Sequence, residues 1–159
     1  MPIALVLGAC LHLVPTVRIA VPTLPSAVLV GLLVPGTVTL LLGWTVVDRW
    51  PTGELALARQ GRRITAARIG ATIAVCLVAA AVASAGHDRN AIAGTCWLLA
   101  VALLVDLLVA GSWWIGVIVG QVVMLQADYR QLPWAEVLTS PWWAVPALAA
   151  ALAATVLRE

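Results

Sequence analysis

Long uncharged apolar runs separated by short polar connectors dominate the chain, and their lengths are those of helices that cross a lipid bilayer. Residues 27 to 47, AVLVGLLVPGTVTLLLGWTVV, carry no charge and predict a full span, with Pro35 and Gly36 bending or unwinding its middle. Ile64 to Ala85 predicts the next span, with Arg68 near its start able to reach back to the interface. Residues 1 to 21 predict a weaker first span, interrupted by Pro15 and Arg18 and followed by a turn at Pro22 and Pro25.

The run from Ala91 to Gln126 holds one charge, Asp106. As a single helix it would extend about 54 Å, against a hydrocarbon core of about 30 Å. It must therefore bend or turn back. Gly111, Ser112, Trp113 and Trp114 supply the break, the glycine and serine by loosening the helix and the paired tryptophans by favouring headgroup level. This gives a span over about 91 to 110 and a shorter one over about 114 to 126. Residues 127 to 140 mix acids, Arg130 and aromatics as an interfacial segment does, and 138 to 157 form a last span. The expected fold is all-α: one polytopic bundle of six transmembrane helices, or five if the segment at 114 to 126 only lies in the interface.

Composition agrees with that class. The chain of 159 residues is 63% hydrophobic and 10% charged, with a mean hydropathy of +1.05, whereas soluble domains carry about 25% charged residues. A net charge of +2 gives no footing for nucleic acid. No lysine occurs, so neither a Walker A loop nor a Schiff base can form. No nucleophile with a base and no metal-ligand cluster is legible, which argues against an enzyme and against a resident cofactor. Cys10, Cys76 and Cys96 lie in apolar runs and read as small core residues. His12 stands two residues from Cys10, on another helix face, and reads as facing a neighbouring helix.

Charge is concentrated between Asp48 and Arg68, DRWPTGELALARQGRRITAAR, which holds five of the nine arginines. The positive-inside rule puts this loop in the cytoplasm and the protein in the plasma (inner) membrane as a multi-pass chain. Pro51, Thr52 and Glu54 suit a helix start, Arg59 and Gly61 its end, so a short cytoplasmic helix is expected over about 53 to 60 between the second and third spans. Within the spans, Asp106 reads either as a polar pathway residue or as a hydrated acid near the interface. Gly116 and Gly120 form a GxxxG face, for packing inside the bundle or for a dimer.

A short helix opening Gly53, Glu54, Leu55 and leaving through Arg59, Arg62 and Arg63 resembles the segment between the second and third spans of ABC-2-type exporter permeases. Gln60 and Gly61 stand where that family has Pro and Ser, and the chain is shorter than its usual members. The resemblance implies a coupling helix that docks on a separate nucleotide-binding ATPase subunit. Glu54, Arg59, Arg62 and Arg63 would contact it by charge, and Leu55 and Leu57 would fill an apolar cleft. ATP would sit on that partner, and two permease subunits, alike or different, would form the pathway. The alternative is a small accessory subunit of a larger membrane complex, in which the basic loop serves only orientation.

Overall fold

The computed structural model describes residues 2–13, 17–20, 28–47, 61–85 and 91–158. Seven α-helices account for nearly all of them: α1 (Pro2–His12), α2 (Val34–Val47), α3 (Gly61–Ser84), α4 (Ala91–Leu108), α5 (Trp113–Tyr129), α6 (Ala135–Thr139) and α7 (Pro141–Arg158). A two-residue antiparallel bridge, β1 (Arg18–Ile19) with β2 (Val28–Leu29), sets Arg18 opposite Leu29 and Ile19 opposite Val28. It leads into a 3-10 turn over Val30–Leu33 and then α2. The all-α expectation holds.

The six full crossings do not emerge in the same way. Among the described residues one helix, Ala91–Leu108, is long and apolar enough to cross a membrane, and the apolar helical stretches at 31–43, 69–84 and 141–155 are shorter. The first span expected over 1 to 21 is a helix of 11 residues that stops at His12, three positions before Pro15, with Arg18 in the bridge beyond. Proline removes a backbone donor and crowds the carbonyl four residues back, so a helix ends ahead of it.

In the second expected span the irregularity precedes Pro35 instead of centring on it. The chain changes from 3-10 to α at Leu33 and Val34, which places Pro35 in the first turn of α2, where its missing N–H costs nothing. The expected turn-back between the fourth and fifth helices is present. Gly111 takes φ +85°, and α5 returns antiparallel along α4.

Helix α4 is the centre of the bundle, touching α2, α3, α5, α6 and α7. Small side chains make that possible. The core includes Ala79, Ala80, Ala83, Ala93, Ala100 and Ala144, together with Cys76 and Cys96. The buried hydroxyls of Thr39 and Thr95 donate back to their own helices, at Pro35 O (2.7 Å) and Ala91 O (2.8 Å), so neither is left unpaired. Cys10 differs from its two fellows: it is exposed on α1. Trp113 is 5% exposed with its ring over Gly43 of α2, whereas Trp114 is 47% exposed.

The GxxxG face of α5 is covered from within the chain. A Cβ on Gly116 would lie 3.0 Å from Val105 Cγ2 and 3.1 Å from the Val101 carbonyl oxygen, and one on Gly120 would lie 2.8 Å from Leu98 Cδ2. The pair therefore packs the α4–α5 hairpin and offers no free surface to a second copy. Gly70 in α3 has nothing within 4 Å of such a Cβ. Gly116→Val should lower the stability of the purified protein by about 1–3 kcal/mol through overpacking, while Gly70→Ala should raise it by about 0.5–1 kcal/mol; thermal melts followed by circular dichroism check both.

Candidate functional site

The residues expected to dock an ATPase divide between two situations. Glu54, Leu55, Leu57 and Arg59 lie outside the described residues, as does the whole helix expected over 53 to 60. Arg62 and Arg63 fall in the first turn of α3. The structure therefore brings none of these side chains together into a described site.

Asp106 sits in the last turn of α4, half-exposed, where its Oδ1 accepts the Gly111 backbone N–H at 2.7 Å. An acid at a helix C-terminus is disfavoured by the helix dipole. A short hydrogen bond to the left-handed turn residue offsets that cost, and the same bond fixes the reversal into α5. Asp106 thus closes a turn.

A second polar constellation surrounds the break before α2. Gln121 is the single polar side chain between Trp113 and Leu125, and its Nε2 donates to the Leu32 carbonyl at 2.9 Å. A backbone oxygen in the irregular 3-10 segment thus receives a donor from a neighbouring helix, the condition under which broken helices survive away from water. Close approach makes the contact. Gln121 lies over Gly36, where a Cβ would meet Oε1, and Pro35 fills the space that Gly94 leaves on α4. Gln121 Oε1 is buried without a hydrogen-bond partner.

Beside this contact lies a cavity of about 350 Å³, walled by the 3-10 turn, the start of α4, the second half of α5, and α6. Leu32, Pro35, Met124 and Leu138 give it an apolar lining, with Gln121 on one side and the exposed Asp128 and Thr139 at the rim. Residues 121, 124, 125 and 128 share one face of α5 by the i, i+3, i+4, i+7 rule. Helix α6, which closes one side, is tied to α4 by the Trp97 Nε1–H bond to Val137 O at 3.3 Å. Cavities of this size and lining hold small organic ligands.

Sequence reasoning passed over Gln121. The signal was present in its isolation within an apolar helix and in the matching face shared with Asp128, but its partner is a backbone oxygen 89 positions away, which no local pattern reveals. Comparison of the chain with protein-family models, characterised proteins and solved structures finds no match.

Because Asp106 acts through a turn, Asp106→Ala should cost about 1 kcal/mol of stability, and Asp106→Asn, which keeps an acceptor oxygen, clearly less. Chemical denaturation of the two variants beside the parent measures the difference.

Proposed function

We propose that the protein is a membrane-embedded helix bundle of six crossings, or five, serving as a permease-like subunit of an ABC-type export complex in the plasma membrane. One observation carries the membrane part: large apolar side chains cover much of the outer surface as well as the core. Alanine, threonine and cysteine share the interior with larger side chains such as Val38, Leu98 and Val117, while Leu104, Ile115, Ile118, Val119, Val122 and Val123 face outward along α4 and α5. Trp142 is 84% exposed and Leu108 80%. Soluble monomers rarely expose apolar surface this continuous. Lipid removes the penalty for large exposed aliphatics and leaves close packing of small residues as the force between helices.

The export part rests on the connector. Its arginines, read by the positive-inside rule, put residues 48–68 in the cytoplasm, and its Gly53-Glu54-Leu55 start and Arg62-Arg63 exit suit a helix that grips a separate ATPase. On this reading the protein binds no nucleotide and forms no bond with its cargo; ATP acts on the partner, and the connector transmits the motion. A homo- or heterodimer would use a surface other than Gly116 and Gly120, which α4 already covers.

A second reading, an accessory subunit without transport activity of its own, is favoured by the use made of Asp106. The only charged group inside the 91–126 run is engaged in the α4–α5 turn, not directed along a polar path.

Topology is tested in intact cells with a membrane-impermeant maleimide, using a Cys10→Ser background. Arg62→Cys should react only after the cells are opened, and Asn90→Cys before; external labelling at position 62 would overturn the orientation. Docking is tested by pull-down in mild detergent. The native chain should retain an ATPase that the Leu55→Asp, Leu57→Asp double variant loses. Equal recovery with both chains would remove the coupling-helix role, and recovery of a large membrane complex without an ATPase would establish the accessory reading instead.

A further inference from the structure

We propose that the outer surface of this bundle fits a thin bilayer, with a hydrocarbon core of roughly 22–24 Å in place of the usual ~30 Å, and that exposed aromatic side chains at two levels mark its boundaries. The inference rests on the membrane reading above and adds to it the class of lipid that fits: phospholipids with short acyl chains.

Three elements meet at one end of the bundle. Helix α5 finishes there at Tyr129, α6 follows, and α7 begins at Pro141, while the Trp97 Nε1–H bond to Val137 O brings the first half of α4 to the same end. Tyr129, Trp134, Trp142 and Trp143 are all exposed on these elements. Arg130 and Glu136, exposed as well, lie in the same segment. Indole and phenol rings with an apolar body and a polar tip, set beside ionic groups, suit the level of the headgroups.

At the other end the reversal from α4 into α5 holds Asp106 and the exposed Trp114, and α7 runs along α4 to finish at Arg158. Between the two levels the outward face of α5 is aliphatic: Ile115, Ile118, Val119, Val122 and Val123 are exposed, and no charged residue occurs from 107 to 127. The same holds from 137 to 157.

Separation of the levels sets the thickness. Along α5 the rise from Trp114 to Tyr129 is about 22 Å. The apolar stretch Pro141–Thr155 of α7 rises about 22 Å, and Ile69–Ser84 of α3 about 24 Å. Only Ala91–Leu108, at about 27 Å, comes nearer to the usual core. Tilt, about 20° on average for membrane helices, shortens every projection further. Three helices from separate parts of the sequence thus agree on one short length. In a thicker bilayer their polar ends would be drawn into hydrocarbon unless the lipid thinned around them, so lipids that need no thinning bind best.

Tryptophan quenching reads this preference. The full chain is reconstituted in dibrominated dioleoyl-phosphatidylcholine, whose bromines quench tryptophans in contact with lipid, and the brominated lipid is then diluted with an unbrominated phosphatidylcholine. Dimyristoleoyl chains should restore the fluorescence at lower mole fraction than dioleoyl, and dioleoyl at lower than dierucoyl, with a relative binding constant at least about threefold higher for the shortest than for the longest. Arg130→Leu combined with Glu136→Leu, both at exposed positions, removes the ionic part of one boundary and should narrow that ratio. Equal affinity at every chain length, a preference for the longer chains, or an unchanged ratio in the double variant would each overturn the thin-bilayer inference while leaving the membrane reading in place. Absence of any quenching by the brominated lipid would remove the membrane reading and this inference with it.

Discussion

How near two backbones can come is the constraint on which the rest of this structure depends. Gly8 meets the Ala79 carbonyl and Val82 on α3, Gly43 receives the ring of Trp113, Gly94 receives Pro35, and Gly116 takes Val105. At each contact a larger group from one helix occupies the place where a side chain is missing on another. Dispersion between such closely fitted surfaces falls steeply with separation, so a gap of even half an ångström would forfeit much of it. The alanine-rich core of α3 and α4 extends the same arrangement, and it places α4 where it can touch five other helices at once.

Gln121 shows how a polar group joins this scheme. It reaches the 3-10 segment because Gly36 leaves room for its amide, and the cavity exists because the segment is 3-10 and not α. Had residues 30 to 47 formed one regular helix, Leu32 would point its carbonyl along the axis, and the wall between α4 and α6 would be in a different place. The irregular turn, the amide and the cavity are therefore one feature seen from three sides. Asp106 does comparable work at the opposite end of α5, where one carboxylate oxygen holds Gly111 in the conformation that reverses the chain.

Much of this architecture was legible in the order of residues, and the parts that were not share a cause. Uncharged runs and their lengths located α3, α4, α5 and α7, because burial of long apolar segments is a local property of sequence. The run from 91 to 126 is too long for one crossing, which already requires the hairpin. What escaped were relations between distant segments: that Trp113 would lie on Gly43, that Gly116 would face Val105, and that Gln121 would serve Leu32. The first span, already weakened in sequence by Pro15 and Arg18, is a helix only over Pro2–His12. The docking residues Glu54, Leu55, Leu57 and Arg59 rest on sequence alone, as they lie outside the described residues.

The contrast between the glycine contacts and the outer face of α5 bears on how such a chain can diverge among descendants. Outward positions such as Ile118, Val119 and Val122 meet no shape within the chain, and drift among valine, isoleucine and leucine there leaves the interior untouched. At Gly43 and Gly94 even one methyl group would meet the ring of Trp113 or Pro35 at under 3.0 Å, so a change at either site calls for a matching change in the group that fills it. A lineage could change almost every bulky residue while retaining a sparse lattice of absences, and kinship would then be written in the spaces between helices more than in the letters along them.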